Sequence, residues 1–228
     1  MPPDPYFNSN LFAFLSELRA HNNREWFPKN KDRYEQHVRD PLLRFIADLA
    51  PGLRKINRQI VVDPSPTGGS MMRIYRDIRF SKDKSPYKTS VSAHFWHVKG
   101  KEGASPAYYL HIEPHGSLIG AGIWHPEPRA LKKIRNSIVA DPQGWKRATS
   151  VANSSSKWKI GGESLQRPPR GYDQNHPFIA DIKRKDFTIG TSLGDDEVLA
   201  ADFLNRTLAD FKRMAPFLEY LSQATGLR

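Results

Sequence analysis

Apolar residues recur at helical spacing through the first fifty positions. Leu11, Phe14, Leu15 and Leu18 form one stripe, predicting a helix over 10–23 with Ser9 as N-cap and Asn22-Asn23 as its end. A second helix is predicted from near Pro28, a favourable first-turn position for proline. Its stripe of Tyr34, Val38, Leu42, Phe45, Ile46 and Leu49 stays in phase through Pro41. One helix is therefore expected, kinked or briefly broken at Asp40-Pro41 and closed by Pro51-Gly52.

The period then changes. From 71 to about 124 apolar and polar positions alternate, which predicts strands. Met72, Ile74, Ile78 and Phe80 share one face of such a strand; Arg73, Tyr75, Asp77 and Arg79 share the other. Tyr108, Leu110 and Ile112 likewise oppose Tyr109, His111 and Glu113. Residues 114–117 suit a hairpin turn into 118–124, where Gly120 and Gly122 leave one face bare. Helical spacing returns over 129–140, with Leu131, Ile134 and Ile138 inside, and a further turn or two is expected from 142. Polar residues dominate 153–177, with one short strand expected at 158–160. The region 195–225 reads as a helix pair or one helix kinked at Pro216, its stripe being Leu204, Leu208, Phe211, Ala215 and Leu218. This order predicts an α+β fold: a single domain over 1–228, its central, mostly antiparallel sheet covered on one face by the N-terminal and C-terminal helices.

The chain is strongly basic. The net charge of +11 favours an acidic partner: nucleic acid, a phosphorylated metabolite or an anionic surface. The absence of cysteine removes disulfides, thiolate nucleophiles and cysteine-ligated metals. No basic leader with an apolar run opens the chain, and nothing approaches the roughly 20 apolar residues that span a bilayer. A cytoplasmic protein with no membrane association is expected.

Much of the charge lies in RIYRDIRFSKDKSPYKTS (73–90), where six basic and two acidic side chains sit among Tyr75, Phe80 and Tyr87. Forked guanidiniums and mobile ammonium groups suit phosphate or carboxylate oxygens, so Arg73, Arg76, Arg79, Lys82, Lys84 and Lys88 are the candidate anion clamp. Asp77 would orient the guanidiniums. Alternation puts Arg76 on the apolar side, at odds with that role. The plainer alternative is a set of Arg–Asp pairs that braces the fold. His111 and Glu113 are two apart on a strand and point the same way, and with His94 they are candidates for proton transfer; Tyr109 would bound the pocket. Two histidines and a carboxylate are also a zinc or iron ligand set, but eight histidines produce such spacings by chance, and no metal is assigned. The cofactor and the oligomeric state stay unknown. Trp26, Phe27 and Tyr34 are expected to pack the first helices together.

Two functions follow. One is a pocket for an anionic small molecule on the polar face of the sheet, with acid–base chemistry alongside. The other is a non-catalytic nucleic-acid-binding module, with Tyr75, Trp96 and Tyr109 as stacking rings. Patterns of the RNA-recognition, KH, helix-turn-helix and zinc-finger classes are absent, as are the Walker, Rossmann and GxSxG signatures.

The blocks HNNREWFPKNKDRYE (21–35), RIYRDIRFSKDKSPYKTSVSAHF (73–95), AYYLHIEP (107–114) with GAGIW (120–124), and PPRGYDQNHP (168–177) resemble the successive blocks of the domain of unknown function 2461 family. The RDxRFSKDKxPYK pattern is the most specific of them. The resemblance covers nearly the whole chain except 97–105 and roughly 146–160. It implies a single domain and supplies no activity, substrate or catalytic residue.

Overall fold

The computed structural model describes residues 4–100 and 105–227. Helix α1 (Ser9–Ala20) buries Leu11, Phe14, Leu15 and Leu18 as their spacing predicts. Its cap is Asn8 rather than Ser9: the Asn8 side chain accepts from the Asn10 backbone N–H. Two single-turn helices follow, α2 (Trp26–Lys29) and α3 (Lys31–Tyr34), and then a π-helical turn (Glu35–Arg39) leads directly into α4 (Asp40–Ile56). The distortion expected at Asp40-Pro41 thus lies just upstream. A wider turn accommodates the proline, which cannot donate to the α ladder. Pro51 does not end α4, which runs on to Ile56. Pro51 and Ala47 are both exposed, so water can serve the carbonyl that the proline leaves without a donor.

Strands β1 (Val91–Trp96), β2 (Ala107–Ile112) and β3 (Leu118–Ile123) form an antiparallel meander. Helices α5 (Pro128–Ala140), α6 (Pro142–Ala148) and α7 (Ser150–Ser154) follow, then β4 (Lys159–Gly161), the short α8 (Ile179–Ile182) and β5 (Phe187–Ser192). Helices α9 (Asp195–Leu199) and α10 (Phe203–Thr225) close the chain. The five strands run in the order β1-β2-β3-β5-β4, every neighbouring pair antiparallel. The fold is α+β.

One face of the sheet is the core. Phe95, Tyr108, Leu110, Ile119 and Phe187 are buried there, and α10 lies against it, its Phe211 ring 4.6 Å from that of Tyr108. The buried stripe of α10 is Phe203, Phe211, Met214, Phe217, Leu218 and Leu221; Leu204, Leu208 and Ala215 are its half-buried flank. Register gives the other face: Ser92 pairs with His111, His94 with Tyr109, and Tyr109 with Gly120. That face is half-buried to exposed across all five strands, apart from buried Ser92 and Ala107.

Residues 71–90 are not the strand that their alternation predicts. They make two isolated bridges, Met71 to Ala93 and Tyr75 to Tyr87. The buried side chains are Met71, Ile74 and Tyr87, while Phe80 is 95% exposed. Aspartates explain the failure. Asp77 accepts from the Arg79 backbone N–H and Asp83 from that of Ser85, local turns that replace a strand ladder. Among the described residues no helix is long and apolar enough to cross a membrane.

Candidate functional site

Residues 74–88 form a narrow, irregular hairpin. Lys88 N–H donates to Ile74 O at 2.8 Å and Arg76 N–H to Pro86 O at 2.9 Å. Asn22, just past α1, clamps the returning arm: its Nδ2 donates to Tyr87 O at 2.9 Å and its Oδ1 accepts from Tyr87 N–H at 3.0 Å. Phe27 stacks on the Tyr87 ring at 4.2 Å. The aromatic contacts of Phe14 with Trp26 and Tyr34 hold α1 against the following turns, as expected. Asn23 accepts from the Glu25 and Trp26 N–H groups in the turn that leads into α2, whereas Asn22 serves the hairpin instead of a helix end.

The end of α1, this hairpin and the end of β2 enclose a cleft of about 430 Å³. Arg19, Arg76 and Lys88 line it as cations, Asp83 and Glu113 as anions. A shallower hollow of about 540 Å³ adjoins it, sharing Asn22, Asp83 and Ser85 and adding Arg24 and Lys84. Arg19 Nη2 meets Glu113 Oε1 at 2.5 Å, and Arg76 is ion-paired with Asp83. Hydrogen bonds from Ser85 and from Arg76 hold the Asp83 carboxyl well below the usual range. Lys88 differs. It is half-buried and has no side-chain hydrogen bond or carboxylate partner among the described residues. Burial pushes its pKa down, and the nearby Arg73 guanidinium adds to the shift.

Behind Glu113 runs a chain of polar side chains. His111 Nε2 lies 3.1 Å from Glu113 Oε2, and His111 Nδ1 lies 3.2 Å from Ser92 Oγ and 3.1 Å from the Tyr109 hydroxyl. The two hydroxyls are 3.0 Å apart. In the neutral ring the carboxylate accepts the Nε2 proton, which leaves Nδ1 as an acceptor. One hydroxyl then donates to Nδ1 and the other to the first hydroxyl, so every proton has a place. Burial raises the Tyr109 pKa, keeping that hydroxyl protonated.

The structure brings only part of the expected set together. Arg76 and Lys88 line the cleft with Glu113; Lys84 lines the adjoining hollow; His111 and Tyr109 stand behind Glu113. Arg73 lies outside the wall, near Lys88. Arg79 is engaged by Asp77, whose carboxyl it holds down to about 2, and Lys82 is exposed near the hairpin tip. His94 pairs with Tyr109 in register but stacks on Trp96 at 5.8 Å. It makes no side-chain hydrogen bond among the described residues, and burial pushes its pKa down. Ser92, Arg19 and Asn22 were not foreseen, whereas Ser85 and Thr89, hydroxyls of the basic block, do line the cleft. Alternation with His94 places Ser92 on the polar face; Arg19 and Asn22 join only through tertiary contacts. No cluster of three or more His, Asp or Glu side chains able to hold a metal occurs among the described residues.

A family model described as "Conserved hypothetical protein (DUF2461)" matches residues 10–220. The chain belongs to this family. No curated protein matches the sequence. The domain of unknown function 2461 match includes every residue named here as lining the cleft, together with the chain from Glu113 to Ser92.

Proposed function

We propose that the protein binds a small phosphate- or carboxylate-bearing molecule in the cleft between α1, the 74–88 hairpin and the end of β2. The observation that carries this reading is Lys88, a half-buried ammonium beside Arg73 with no carboxylate partner among the described residues. A charge withdrawn from water without a partner is unfavourable, and an incoming anion would relieve that cost. Arg19 and Arg76 are the further donors, each now held by a carboxylate that also lines the cleft. An anion would compete with Glu113 and Asp83 for them. This site lies beyond the end of β2 rather than on the polar face of the sheet.

Release of Glu113 from Arg19 would leave its carboxylate facing the ligand with His111, Tyr109 and Ser92 behind it, an arrangement suited to moving a proton. The reading is tested by melting the protein against inorganic phosphate, pyrophosphate and citrate at constant ionic strength. A saturable rise in Tm is expected for an anion that fits, amounting to about 2.7 kcal/mol of stabilisation at a hundredfold excess over Kd. Lys88→Met should lose that rise. A rise of equal size in the variant would remove Lys88 from the site.

A further inference from the structure

Phe80, at the hairpin tip, lines neither the cleft nor the adjoining hollow. Phe80 is 95% exposed, more than any other large apolar side chain among the described residues. Slack chain does not account for this, because the tip is braced from within. Asp77 accepts from Arg79 Nε at 2.9 Å and Nη2 at 2.7 Å. Asp83 accepts from Ser85 N–H at 2.9 Å and Ser85 Oγ at 2.7 Å, and Lys84 Nζ donates to Ile78 O at 3.0 Å. The brace holds the ring out in water. Arg79 lies 5.8 Å from the Phe80 ring centroid, which leaves the opposite π-face for another ring.

We propose that this tip docks single-stranded nucleic acid, with Phe80 stacking on a base while Arg73, Arg79, Lys82 and Lys84 meet the adjacent phosphates. Charge complementarity supports this occupant. The two aspartates of the hairpin are taken up by Arg79 and Arg76, so exposed Arg73 and Lys82 have no ion-pair partner among the described residues, and Lys84 bonds only the neutral Ile78 carbonyl. A nucleotide presents a flat π-surface and an anion in one repeating unit, which matches a ring flanked by cations. Tyr75, 54% exposed on the same hairpin, offers a second ring. A lipid surface fits less well. At the tip itself insertion would have to rest on Phe80, since its neighbours are Arg79 and Ser81 and Ile78 is half-buried.

The test is fluorescence anisotropy of the full chain with a labelled oligothymidylate of about twelve nucleotides, long enough to span the ring and the flanking cations. Binding is expected at low salt, with a log–log salt slope of about −2 to −3 for three or four phosphates. Phe80→Ala should weaken binding roughly 5- to 150-fold with Tm unchanged, since the ring is 95% exposed. An abasic oligomer of the same length should bind wild type and F80A alike. Lys88→Met should keep the loss caused by F80A, so this test and that of the cleft fail separately. Three results would each overturn the proposal: no binding at low salt, equal binding by F80A, or Phe80-dependent capture by phosphatidylserine vesicles without capture of the oligomer.

Discussion

Arg19 and Glu113 lie 94 residues apart in the chain and meet at 2.5 Å, tying the last turn of α1 to the end of β2. The contact divides the carboxylate: Oε1 faces Arg19 and Oε2 faces His111. Arg19 is 53% exposed, so solvent screens the pair, and Arg19→Ala should cost less than about 1 kcal/mol in urea unfolding. Glu113→Ala has a different signature. Without the acceptor at Nε2, the His111 ring should pass from one tautomer to a mixture, visible in its imidazole nitrogen shifts. An unchanged tautomer in E113A would mean that Glu113 does not orient the ring.

Asn22 replaces a strand neighbour for Tyr87, donating to its carbonyl and accepting from its N–H. Asn22→Ala leaves both backbone groups without their partner beside a buried ring, at a cost of about 2–3 kcal/mol. Asn22→Asp keeps the acceptor and should recover part of that. Hydrogen exchange at the Tyr87 amide reports the same event locally, and unchanged protection in N22A would contradict the clamp.

Lys88 and His94 give a pH dependence of known sign. Burial lowers both pKa values, so between each folded value and the ordinary one the unfolded chain binds more protons. Stability therefore rises with pH through each window, below 6.5 for His94 and below 10.5 for Lys88. Below the depressed value the full cost is present; above the ordinary value it is gone. His94→Gln should flatten the acid limb of a stability–pH curve, and Lys88→Met should raise stability at neutral pH. A less stable K88M at pH 7 would show that Lys88 has a partner.

The helices and the meander were legible because their burial follows one period over many residues, as in α1 and β2. β5 was missed although Phe187, Ile189 and Thr191 alternate inward, because two strongly apolar residues in six carry little signal. The 73–90 segment misled for the opposite reason. Its alternation is real, but Asp77 and Asp83 close local turns that period two cannot register. His111 and Glu113 were visible as a strand pair, whereas Arg19 and Asn22 reach the cleft only through packing between distant segments. Arg76, placed on the apolar side by alternation, lines the cleft because the hairpin is not a regular strand.

Calorimetric titration of inorganic pyrophosphate into wild type, Lys88→Met and Lys212→Met, at one pH and ionic strength, decides whether Lys88 marks an anion site. Lys212 is an exposed position on α10, outside the cleft. Saturable binding to wild type and to K212M, with at least a tenfold loss in K88M, is the predicted result. Equal affinity in all three proteins, or no heat in any of them alongside no anion-dependent rise in Tm, would contradict it.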